Sequence, residues 1–150
     1  MKDITKEWIE KADHDIGNAK LLLTTKGYEN YNDIVCFHSQ QAAEKYLKAF
    51  LAENNIEFKN THNIKVLIDL CAVKDESFLK EIIHSSELTT YVVKGRYPDD
   101  RFEFTRKEAE KEYNIANEVK EFIYGKIVER EPQKEIEKSK KKGRGLELGR

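Results

Sequence analysis

Proline and glycine are scarce: the 150 residues hold two prolines and seven glycines. So few backbone breakers favour long helices. Cysteine is limited to Cys36 and Cys71, with no C-x-x-C and no paired spacing. Each falls in an apolar helical pattern and reads as a reduced core residue of a cytosolic protein. No run approaches the about 18 apolar residues that a membrane span needs. The first residues, MKDITKEWIEK, lack the apolar region of a signal peptide. A cytoplasmic location is therefore expected. The formal net charge is only -1, so the whole chain has no global field for nucleic acid.

Catalytic signatures are missing too. There is no Gly-rich phosphate loop, no serine elbow and no cysteine nucleophile motif. His14, His38, His62 and His84 stand far apart, with no H-x-x-x-H, and Glu-x-x-His occurs once, at Glu81 to His84, where a di-iron bundle needs two, so neither a metal site nor a di-iron bundle is expected. No residue is assigned a catalytic role, and no cofactor is expected.

What the chain does have is charge and helical periodicity. Charged residues make up 37% and apolar ones 39%, the balance of one helical domain with polar outer faces. The first helix is expected from about Thr5, its cap, to Thr24, with Ile9, Ala12, Ile16, Ala19 and Leu23 inward and Gly27 as the stop. The second runs from about Asp33 to Asn54. Thr61 is expected to cap a shorter helix from His62 to Val73. A fourth is expected from Asp75 to about Val93, broken by Gly95 to Asp100. Thr105 and Glu108 form a capping box for the last, whose inner face is Ala109, Tyr113, Ala116, Val119 and Ile123. The sum is an all-α, up-and-down bundle of four long helices and one short one over residues 1–128. Residues 129–150 form a charged tail with eight Lys/Arg against five Glu. A basic tail on an acidic body suggests an interaction arm.

The second helix organises the rest. At 100° per residue, Val35, Cys36, Ala42, Ala43, Tyr46, Leu47, Ala49, Phe50 and Leu51 share an apolar arc. Gln41, Glu44, Lys45 and Lys48 fall on the opposite arc, with His38 on the seam. Ile34 and Phe37 stand among those polar positions, which suggests that something covers that face, such as a second subunit. The plain alternative is solvated lysines and a boundary histidine.

Four segments together resemble a HEPN domain (higher eukaryotes and prokaryotes nucleotide-binding). They are Ala12-x-x-Asp15-x-x-x-Ala19, the string from Phe37-His38 through Gln40-Gln41-Ala42 to Leu51, Thr61-His62-Asn63-Ile64, and Arg96-Tyr97-Pro98. The resemblance spans about Thr5 to Val128. It implies a helical bundle, a homodimer, and a partner protein of the minimal nucleotidyltransferase type in a toxin–antitoxin-like module. Many HEPN proteins are metal-independent ribonucleases built on Arg-x4-6-His. That motif cannot occur here, because the last histidine is His84 and the first arginine is Arg96.

What remains is a non-catalytic nucleotide-binding or partner-binding role, the alternatives being a metal-independent RNA-cleaving toxin with a reordered site of His38 or His62 with Arg96, and a purely structural homodimer. A nucleotide, ATP for example, needs cations for phosphate and hydrogen-bonding groups for base and sugar. The expected contributors are His38, Gln41, Lys45, Lys48, His62 and Arg96. Lys45 and Lys48 supply charge, His38 and Gln41 hydrogen bonds, and Arg96 a bidentate fork. His62 has a rival role at a helix N-terminus, and Arg96 has rival partners in Asp15, Asp99 and Asp100. Asp15 reads as orienting a neighbour on helix two. RNA contact, through Lys138 to Lys142, is the weaker expectation.

Overall fold

The computed structural model describes residues 1–88 and 103–128. Arg96, the Gly95–Asp100 break, the later part of the expected fourth helix and the charged tail lie outside the described residues. Helix α1 spans Asp3–Thr24, α2 Asn32–Glu53, α3 Ile64–Lys74, α4 Ser77–Glu81 and α5 Arg106–Val128. The described residues contain no strand, and the expected all-α bundle is what the chain forms.

Helix α2 is the central element and packs on α1, α3 and α5. Ala42 and Ala43, with Ala12 of α1 and Ala116 of α5, are fully buried, and their small side chains let the helix backbones approach. Tyr46, Leu47, Phe50 and Leu51 fill the interior with Ile64, Leu67, Ile68 and Ile123. Phe78 stacks between Phe50 and Phe122 at centroid distances of 4.5 and 4.9 Å, so an aromatic column joins α2, α4 and α5.

Several local expectations change. Thr5 does not cap α1. The helix starts two residues earlier, and Thr5 is buried, donating its hydroxyl to Glu53 Oε1 at 2.9 Å. The same oxygen accepts the Lys2 backbone N–H at 3.0 Å. A carboxylate from the last turn of α2 thus serves the positive start of α1 in place of a local cap. The N-cap of α3 is Asn63, accepting from Val66 N–H at 3.3 Å, while Thr61 accepts from Asn63 N–H. The helix expected to begin near Asp75 is divided into α4 and a 3-10 turn over Ile83–Glu87. Asp75 draws the Ser77 N–H and hydroxyl onto Oδ1, and Ser85 donates to the Ile82 carbonyl at 2.6 Å. These short polar side chains compete with the helical ladder.

Thr105 caps α5 as expected. Thr105 Oγ1 accepts the Glu108 N–H and donates to its carboxylate, both at 3.1 Å. Thr105→Ala should lower unfolding free energy by about 1 kcal/mol. Urea unfolding would measure it, and an unchanged midpoint would remove the cap from the stability of α5. One residue on, Arg106 reaches back to the carbonyls of Leu22 and Leu23, at 3.3 and 2.7 Å, closing the open end of α1.

Candidate functional site

Two polar clusters run along α2. The first lies on the seam with α1. Asp15 is buried, and its two oxygens engage different residues of α2: His38 Nδ1 at 2.9 Å and Lys45 Nζ at 2.5 Å. The expectation that Asp15 orients a neighbour on helix two matches this geometry. Asp13, two residues earlier, accepts hydroxyls from Tyr46 at 2.5 Å and Tyr124 at 2.7 Å, which joins α1, α2 and α5. Burial, and then the bond to Asp13, pushes both phenols well above their ordinary range.

The second cluster centres on Glu44, which is almost completely buried. Its carboxylate accepts from Lys48 Nζ at 2.9 Å, His62 Nδ1 at 3.0 Å and Gln40 Nε2 at 3.1 Å. Helical periodicity puts Glu44 and Lys48 on a solvated arc. Both are instead buried, and Lys48 lies against the chain's own Trp8 and Phe58. The Lys48 ammonium lies 5.4 and 5.9 Å from those two ring centroids. A cation desolvated between aromatic faces and paired to a buried carboxylate holds the fold together and is not presented outward. His62 is different: its side chain is 72% exposed while its Nδ1 reaches the buried Glu44.

Gln41 belongs to the second cluster, its amide nitrogen donating to Gln40 Oε1 at 2.8 Å. The structure therefore brings His38 and Lys45 together on Asp15 and places Lys48 and His62 on Glu44, with Gln41 joined to that network through Gln40. Arg96 lies outside the described residues. Sequence reasoning missed Glu44, Gln40 and Asp13 as organising groups. The i, i+4 spacing of Gln40, Glu44 and Lys48 was the available signal.

Elsewhere, a groove between the 3-10 turn and α5 is lined by His84, Glu87, Lys107, Lys111, Ile115 and Glu118, none of them among the residues selected from sequence. His84 bonds Glu118 at 2.7 Å and Lys111 pairs with Glu87 at 3.5 Å. Among the described residues, no three His, Cys, Asp or Glu side chains are grouped to hold a metal ion, and no helix is long and apolar enough to cross a membrane. Cys36 and Cys71 are buried and unpaired, and burial first, then Glu112, pushes the Cys36 thiol up to about 12.

A helical bundle whose central helix carries these two polar clusters is the setting in which the family match falls. The HEPN domain family model matches residues 5–129, and the chain belongs to that family. Its relatives include the candidate toxin MJ1304 of Methanocaldococcus jannaschii, 32% identical over 145 residues, covering 87% of this chain and 93% of that protein. Two solved structures are similar. TT1696 from Thermus thermophilus aligns with a TM-score of 0.69 at 28% identity, over 83% of this chain and 99% of that one. ST0689, an archaeal HEPN homologue, aligns at 0.64 and 28%, over 85% and 99%.

Proposed function

We propose that this chain is a non-catalytic, nucleotide-binding or partner-binding HEPN protein. It acts in the cytoplasm as a homodimer with a minimal nucleotidyltransferase, in a toxin–antitoxin-like module. Family membership and the candidate toxin relative support the toxin-like part. The observation that carries the binding part is the α1–α2 seam. There His38 and Lys45 converge on Asp15, and Gln41 sits one turn from each. Arg96 supplies the fork for phosphate in this reading, and His62 flanks the seam from above Glu44.

The test is a thermal-shift screen against ATP, GTP, their diphosphates and monophosphates, with and without magnesium. A ligand selective for the folded state stabilises it by about 2.7 kcal/mol at 100 times its Kd. A concentration-dependent rise with one nucleotide is expected. A flat response across the panel would sink nucleotide binding and leave the protein partner as the role to pursue.

One observation favours a second reading, a metal-independent ribonuclease with an atypical site. Asp15 holds His38 by Nδ1, the arrangement that positions an imidazole as a general base. That reading predicts RNA cleavage that persists in chelator and disappears in His38→Ala. Equal cleavage by the variant would eliminate it.

A further inference from the structure

The hydrogen bonds around Gln41 and His38 determine what each shows to solvent. Glu44 and the His62 carbonyl can only accept, so Gln40 must turn its amide nitrogen to them, at 3.1 and 3.2 Å. The Gln40 oxygen then faces Gln41, which must answer with its own amide nitrogen, at 2.8 Å. Gln41 is left with its carbonyl oxygen outward. The same logic applies at His38. Asp15 faces Nδ1 at 2.9 Å, and in the tautomer that donates from Nδ1 the ring presents the lone pair of Nε2. Among the described residues neither Gln41 Oε1 nor His38 Nε2 has a hydrogen-bond partner.

Two exposed apolar side chains neighbour these acceptors on α2. Ile34, Phe37, His38 and Gln41 are successive i, i+3, i+4 and i+7 neighbours on α2. Ile34 and Phe37 are 38% and 46% exposed, and the Phe37 ring stands edge to face with His38 at 5.4 Å. Among the described residues, neither lysine of this face of α2 offers a free ammonium for a phosphate. Lys45 is engaged by Asp15 at 2.5 Å, and Lys48 is enclosed by Trp8 and Phe58 on Glu44. Two lone pairs beside an aromatic face complement a planar ligand that carries N–H donors.

We propose that this patch receives the base of a nucleotide, an aminated purine, and not its phosphates. The exocyclic amine donates to His38 Nε2 and Gln41 Oε1, and the ring packs on Phe37 and Ile34. This deepens the nucleotide-binding reading and rests on it. Two exposed apolar side chains and two acceptors make the site a weak one by itself, so the phosphate end is bound by groups beyond the patch or stays in water.

The experiment is a heteronuclear NMR titration of the full chain with ATP, AMP, adenosine and purine riboside, which lacks only the 6-amino group. Adenosine is expected to bind within a factor of a few of AMP. Purine riboside is expected to bind on the order of tenfold more weakly, since loss of the amine leaves the acceptors unanswered. Phe37→Ala should weaken adenosine several-fold without lowering the melting temperature, because that side chain stands at the surface, and Gln41→Ala should weaken adenosine by a similar factor. ATP binding without adenosine binding would overturn the base assignment and leave the nucleotide reading intact. Binding of purine riboside as tight as that of adenosine would overturn recognition of the amine. Absence of binding by every nucleotide and nucleoside would overturn both readings. If Phe37→Glu converts a dimer to a monomer while adenosine fails to bind, the patch belongs to a second copy of the chain and the proposal falls.

Discussion

Glu44→Ala is expected to be the most damaging single change on α2. Among the described residues it removes the only carboxylate bonded to the buried Lys48 ammonium, and it takes an acceptor from Gln40 and His62. Breaking a buried pair by removing one partner costs about 3–5 kcal/mol, because the remaining charge has neither water nor counter-ion. For a chain of this size that is a fall in Tm on the order of 10 °C. Lys48→Met should cost less. Glu44 then keeps two donors, and the methionine fills the space between Trp8 and Phe58. Chemical denaturation of the two variants and the double variant would measure the coupling. A loss below about 1 kcal/mol in Glu44→Ala would mean that water reaches Lys48 and that the pair is not a structural one. The variant has a functional consequence too. Glu44 orients Gln40, which orients Gln41, so the outward carbonyl of Gln41 loses its constraint.

Glu112 should make stability fall as pH rises. It is fully buried on α5, and neither carboxylate oxygen has a hydrogen-bond partner among the described residues. Burial, reinforced by the nearby Glu87, raises its pKa from 4.5 to about 7. A folded-state pKa above the unfolded one means that the folded chain holds the proton more tightly. The contribution is therefore complete below about 4.5 and is lost as pH rises through about 7. At 1.36 kcal/mol per unit, the loss by pH 8 is of order 3 kcal/mol. Glu112→Gln keeps the shape and removes the charge. It should raise Tm at pH 8, leave it nearly unchanged at pH 4.5, and flatten the curve between. An unaltered pH slope in the variant would show that Glu112 stays ionised in the fold. The Ser39 hydroxyl, also buried and unpartnered among the described residues, would not produce such a slope, since it does not titrate in this range.

The sequence-derived candidates and the observed geometry agree most closely where one helix supplies all the information. Periodicity alone placed Val35, Ala42, Ala43, Tyr46 and Phe50 inside, and the structure buries each of them. Thr105 and Glu108 were legible for the same reason, since a helix cap is a contact across three residues. The family, too, was legible from short strings of residues, and the family match over residues 5–129 bears it out.

Contacts between distant segments were not legible. A helical wheel puts Glu44 and Lys48 opposite the apolar arc, but it does not show that both are buried or that Trp8 and Phe58 lie against Lys48. Nor could it show that Glu53 would replace Thr5 at the start of α1, a contact across 48 residues. The position of Asp15 suggested an orienting role, yet its split between His38 and Lys45 depends on how two helices register against each other. The amino-acid sequence by itself determined the helices, their apolar faces and the family, because those follow from local periodicity and propensity. The tertiary structure alone decided which charges are desolvated and which acceptors stay open, because both depend on what another part of the chain brings within hydrogen-bonding distance.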